Sequence, residues 1–239
     1  MKKVVTKANS DTFNLSISDL MAGLLAIFIL ILCYYIVSFN EMKNEYEGNN
    51  QLRTEMLHLL ENKLKKERIN VIVKPETGLV RLSEKTVLFE SGSDVTNDTG
   101  EEVIKKLGRA IYDTITETNY REKIGTIFIE GHTDDVKHWS TTEENTSEFD
   151  DYNWNLSTRR AIYTWKVMSQ ATPELITFEN YENEPVFSCS GYGPTRPIDL
   201  DYKKESLAEN EKKLSREKNR RIDIRFTMLL PKAVNEKKN

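Results

Sequence analysis

The chain has 239 residues, with 34 Lys+Arg against 38 Asp+Glu and a formal charge of −4. Without a clustered basic face, that balance gives no basis for direct nucleic-acid binding. The 38 % apolar content is low for one compact globule and much of it sits in a single run, so the length fits one domain plus extra segments, or two small domains.

Residues 1–12 read as a polar N-terminus. From Leu20 to Phe39 there is no charged residue, and only Gly23 and Ser38 fall outside the apolar set. At about 1.5 Å per residue, roughly 20 residues cover the ~30 Å hydrocarbon core of a bilayer. The run is too long for the core of a cleaved signal, and no A-x-A site follows it. Leu32, not a small residue, precedes Cys33, which argues against a lipoprotein signal. The spacing predicts an uncleaved transmembrane helix over 13–39. Lys2, Lys3 and Lys7 precede the run, whereas Glu41, Lys43, Glu45 and Glu47 follow it with no basic excess. The N-terminus is therefore expected in the cytoplasm and the residues beyond the run on the far side.

Asp19 opens the apolar run. It reads either as a helix N-cap at the positive end of the dipole, or as an intramembrane carboxylate, which is costly there and functional by default. In the second reading desolvation raises its pKa, so that it takes up and releases a proton, or its oxygens help to strip a sodium ion.

Residues 40–68 read as a helical linker with Met42, Tyr46, Leu52, Met56, Leu59, Leu60 and Leu64 at helical spacing, broken at Gly48-Asn49-Asn50. A spacer, a dimer coiled coil and a plug against ion leakage all fit. Over 69–230 the pattern becomes α/β. Strands are expected at 71–73, 79–82, 124–129, 185–189 and 222–229, and helices at 101–116 and 156–170. Strands alternating with helices argue a two-layer domain, helices on a sheet. Residues 231–239 form a tail. Cys33 and Cys189, one in the apolar run and one in the soluble part, are read as unpaired packing residues.

Three segments of the domain carry chemistry. Gly131-His132-Thr133-Asp134 ends a strand, where an acidic side chain beside a glycine can take a cationic group. Asn153-Trp154-Asn155-Leu156-Ser157-Thr158-Arg159-Arg160-Ala161 opens a helix, with Ser157 as the expected N-cap and both arginines in the first turn, against the dipole. Such a broken local rule often marks a site. Arg160 suits a bidentate carboxylate, and with Asp134 it suits a zwitterion. The third segment is Asn219-Arg220-Arg221-Ile222-Asp223-Ile224. A metal reading of His132, Asp134, Asp135 and His138 fits no ligand spacing, and no nucleophile–base pair stands out, so neither a bound metal nor an enzyme is expected. The acidic loop 141–151 reads as a solvated insertion, a cover over the ligand or a cation site.

GHTD, NWNLSTRRA, GYGPTRP and NRRIDI, in this order, resemble the OmpA-like peptidoglycan-binding domain. The NW–LS form, with an aspartate leading a single membrane helix, resembles the MotB branch of flagellar stator proteins. The B subunits of Zorya anti-phage defence systems are more similar still. The resemblance covers roughly 11–39 and 69–230. It implies that Asp134 and Arg160 hold the diaminopimelate of the peptide stem, with Thr133, Asn153, Leu156 and Ser157 on the ligand side. It implies that Asp19 relays the translocated ion, H⁺ or Na⁺, with no cofactor. It further implies an inner-membrane homodimer inside a ring of a larger MotA-like (A-type) subunit, a periplasmic domain gripping peptidoglycan, and cytoplasmic defence effectors reached indirectly. A flagellar stator subunit and a passive wall anchor remain alternatives.

Overall fold

A computed structural model describes residues 2–87, 89, 92–117, 120–136 and 151–231, with backbone alone for 2–16, 87 and 151. His138, nearly all of the acidic loop and the tail beyond residue 231 lie outside the described residues. Two compact units emerge, one of residues Met1–Gly48 with Pro231–Asn239, the other Asn49–Leu230.

The first unit is essentially the N-terminal part of helix α1 (Lys2–Lys66). From Leu20 to Phe39 its large apolar side chains are 47–72 % exposed. A helix apolar on every side has no face to keep in water and belongs in a bilayer, and α1 holds the one stretch among the described residues that is long and apolar enough to cross one.

The second unit is a five-stranded mixed sheet with helices on one face. Its strands are β1 (Ile72–Lys74), β2 (Leu79–Ser83), β3 (Ile124–His132), β4 (Phe187–Gly191) and β5 (Arg221–Met228), in the spatial order β1-β2-β5-β3-β4. Only β3 and β4 are parallel, joined through helix α4 (Asp151–Ala171), as a parallel pair requires. Alternation decides the faces. Val80, Leu82, Ile127, Ile129, Ile222, Ile224 and Phe226 point into the core, where they meet Ile104, Leu107, Ile111 and Ile115 of helix α3 (Asp98–Thr116) and Ala161, Val167 and Met168 of α4. Helix α3 starts three residues before the expected Glu101 because the Asn97 side chain caps it, accepting from the Gly100 N–H at 3.0 Å.

The expected break at Gly48-Asn49-Asn50 does not occur: α1 runs through it. Asn49 is buried, and its Nδ2 donates to the Leu229 carbonyl at 3.0 Å. That tertiary bond offsets the weak helix propensity of the triplet. Met56, Leu57, Leu60 and Leu64 then enter the core, so 49–66 belongs to the domain rather than to a free linker, and the domain starts at Asn49 instead of 69. A short helix, α2 (Glu84–Val87), follows β2, and helix α5 (Glu209–Asn219) precedes β5.

Candidate functional site

The site lies where β3 ends, beside α4 and the start of β5. Gly131 allows the approach: a Cβ there would stand 1.9 Å from the Ser157 carbonyl oxygen, and one on Gly191 would stand 2.1 Å from Thr158 Oγ1. Only glycine lets α4 press so close against β3 and β4. Three further bonds fix the junction. Thr133 N–H donates to the Gly193 carbonyl at 3.1 Å, Gly193 N–H donates to Ser157 Oγ at 2.9 Å, and Asn153 Nδ2 donates to the Val136 carbonyl at 3.0 Å. GHTD, NWNLSTRRA and GYGPTRP, apart in the chain, are thus stitched into one place.

Two sequence expectations are corrected here. Helix α4 begins at Asp151, so Ser157 lies inside it and is no N-cap; its hydroxyl donates to the Trp154 carbonyl at 2.9 Å instead. Arg159 and Arg160 therefore lie beyond the first turn, and the argument from the helix dipole falls away. The early turns of α4 are polar because their side chains hold neighbouring loops.

Asp134 is buried and fully engaged. Its Oδ1 accepts from Val136 N–H at 3.2 Å, and its Oδ2 accepts from Arg220 Nη1 at 2.5 Å. Arg220 in turn donates from Nε to Glu84 at 2.6 Å. Arg160 is 2 % exposed, donates from Nε to the Ser93 carbonyl at 2.8 Å, and lies 4.8 Å over the Phe89 ring. Burial pushes the Arg160 guanidinium below its usual pKa; Glu84 and then Asp134 oppose that, while Arg220 adds to it. For Arg220 burial also disfavours the charged form, but its bond to Asp134 and the field of Glu84 outweigh it and raise the pKa. The result is two guanidinium groups and two carboxylates in mutual reach. Thr133 is also buried, and its Oγ1 has no hydrogen-bond partner among the described residues. Buried hydroxyls are rarely left so. Leu156 is buried in the same helix turn. Glu84 escaped sequence reading, and Arg220 was visible only as part of NRRIDI.

His132, Asp134, Asp135 and His138 do not form one metal cluster among the described residues. His132 turns to the sheet face opposite the helices, stacked on Tyr192 with centroids 5.3 Å apart, and Asp135 pairs with Arg216 at 3.0 Å. The cluster there with ligand-like closeness is Glu130, His132 and Asp223, whose candidate atoms lie within 4.8 Å of one another. Its carboxylates are already taken. Asp223 accepts two 2.7 Å bonds from Arg81 and one of 3.0 Å from Arg221, and Glu130 is 3.2 Å from Arg225. Three arginines against two carboxylates leave no excess negative charge for a divalent cation.

Asp19 lies inside α1, well after its start at Lys2, so it is no helix cap; in the single chain its side chain is exposed. Cys33 and Cys189 are both free thiols.

No protein-family model matches the chain, and no curated protein does. Solved structures do. The chain is similar to the periplasmic domain of Helicobacter pylori MotB at 25 % identity, over 63 % of this chain and 75 % of that one, with a TM-score of 0.41. It is similar to a putative MotB-like protein from Desulfovibrio vulgaris at 18 % identity, over 74 % and 96 %, with a TM-score of 0.44. It is also similar to the peptidoglycan-associated lipoprotein from Burkholderia pseudomallei at 17 % identity, over 62 % and 89 %, with a TM-score of 0.37.

Proposed function

We propose that this chain is the wall-anchoring, ion-relaying subunit of a MotB-type motor in the bacterial inner membrane, serving Zorya-like anti-phage defence. The observation that carries the reading is the meeting of Asp134 and Arg160, from separate motifs, in one charged and buried site. A carboxylate and a guanidinium held apart by fixed partners match the ammonium and carboxylate of one amino-acid head group, here the diaminopimelate of peptidoglycan. Asn153, Thr133, Leu156 and Ser157 shape the same junction.

The exposed apolar helix supplies the membrane anchor, and the lysines before it favour a cytoplasmic N-terminus with the domain in the periplasm. Asp19 is the ion-relay group. Neutralising and recharging it alters how its helix packs against a MotA-like (A-type) ring, with a second copy of this chain completing the motor core. Ion flow through that assembly, of H⁺ or Na⁺, then drives motion that cytoplasmic effectors read. The chain itself performs no covalent chemistry.

The wall-binding test is retention on purified sacculi. The unmutated chain is expected to be retained, and Asp134→Ala and Arg160→Ala to wash through; equal retention overturns the assignment. For the motor, Asp19→Asn is expected to keep assembly and lose phage protection. A passive anchor instead keeps all its activity in that variant. Restored swimming in a stator-deficient strain, without phage protection, would place the chain in a flagellar motor.

A further inference from the structure

We propose that Glu84 is the specificity-determining residue that makes this site select a zwitterionic head group over a plain carboxylate; the inference rests on the wall-binding reading above. Nothing in the sequence singles out Glu84, and its role comes from the register of the sheet. Ser83 pairs with Arg221 at the end of the β2–β5 ladder, and the Glu84 N–H extends that ladder to the Arg220 carbonyl at 3.0 Å. The backbone thereby places the two side chains together, and Glu84 accepts the Arg220 Nε at 2.6 Å. The other arm of the same guanidinium reaches Asp134. One arginine is shared between two carboxylates.

Charge balance then decides what fits. Glu84 and Asp134 offset Arg220 and Arg160, so the site is neutral as a whole. Their side chains are only partly screened: Glu84 is 16 % exposed, Asp134 9 % and Arg220 22 %. A ligand bearing one ammonium and one carboxylate leaves that balance intact. Its ammonium takes a share of Asp134 while Glu84 keeps hold of Arg220, and its carboxylate meets the guanidinium groups. A ligand with a carboxylate alone leaves an uncompensated negative charge in a largely desolvated place, which is how sites reject near-analogues. Without Glu84 the site gains net positive charge. It then welcomes the bare carboxylate, and Arg220 holds Asp134 more tightly against an incoming ammonium. Glu84 is also the foremost charge opposing the downward push of burial on the Arg160 guanidinium.

The experiment is calorimetric titration of the full-length chain in detergent with diaminopimelate and with pimelate, the same carbon skeleton without the amino groups. The unmutated chain is expected to prefer diaminopimelate. Glu84→Gln is expected to shrink that preference about tenfold, the scale of one lost charge contact, and Glu84→Asp to restore most of it. A general loss of structure lowers both affinities together and leaves the ratio alone. Should the glutamine variant fold poorly, Glu84→Ser is a second neutral version suited to a helix start. An unchanged ratio in a neutral variant that still binds overturns this inference alone. Absence of diaminopimelate binding by the unmutated chain overturns the wall-binding reading and this inference with it.

Discussion

Two aspartates of the domain are held by arginines, in opposite circumstances. Asp223, at mid-sheet on β5, is 1 % exposed, and Arg81 grips it with two parallel bonds from the residue directly across the β2–β5 ladder. Asp134, just past the end of β3, shares a single arm of an arginine that is also claimed by Glu84. The first pair is sealed and geometrically complete. The second is less deeply buried, lies next to a hydroxyl with no partner among the described residues, and its arginine has an alternative partner already in place. A pair built to stay uses both arms of the guanidinium. A pair built to admit a third charge uses one. Placement on the sheet, more than the residue types, separates the structural cluster from the candidate site.

The comparison is broken most severely by removing one member of the sealed pair. Asp223→Ala leaves Arg81 and Arg221 buried without their anion, and breaking such a pair costs about 3–5 kcal/mol. Urea unfolding followed by tryptophan fluorescence is expected to show that loss, with wall retention unchanged per folded molecule. A loss below about 1 kcal/mol would make Asp223 no different from a surface residue.

A smaller effect comes from His132, which shares the sealed face and lies 3.6 Å from Asp223. Burial foremost, and then the Arg221 charge, push its pKa down to about 3, while Asp223 pulls the other way. In the unfolded chain a histidine titrates near 6.5. The folded pKa is therefore depressed, so between those values the unfolded state binds the proton and the folded state does not. Stability is complete above pH 6.5 and falls as the pH drops towards 3. Between pH 7 and pH 5 the loss is about 2 kcal/mol. His132→Gln is expected to flatten that part of the profile; an equal slope in the variant assigns it to other groups.

Sequence reading reached the sheet strands and helices α3 and α4 because each carries an apolar period, and it reached Asp134 and Arg160 because their motifs are contiguous. It missed what depends on distant register. Glu84 meets Arg220 across 136 positions through the end of a ladder, and no local pattern announces that. It missed α5, a run of charged residues whose hold on the fold is polar: Asn219 Oδ1 accepts from the Ile198 and Asp199 N–H groups, and Ser215 Oγ donates to Asp199 at 2.6 Å. It placed a break at Gly48-Asn49-Asn50 and an N-cap at Ser157 for the same reason. Small polar residues ordinarily end helices, and at both places a tertiary partner holds the helix together instead.

The smallest expected change in stability belongs to the open pair, and it sharpens the comparison furthest. Asp134→Asn keeps the shape, leaves Arg220 its 2.6 Å contact with Glu84, and removes one charge-assisted bond. Its cost is about 1.5 kcal/mol, because Arg220 keeps Glu84 as a partner and no charge is left uncompensated. Retention on sacculi is nevertheless expected to disappear, because the ammonium of the ligand loses its anion. Binding and stability then respond in opposite order at the two aspartates: large in stability and absent in binding at Asp223, slight in stability and complete in binding at Asp134. If Asp134→Asn instead destabilised the fold as much as Asp223→Ala, Arg220 would have no real hold on Glu84, and the half-open pair would be a second structural rivet.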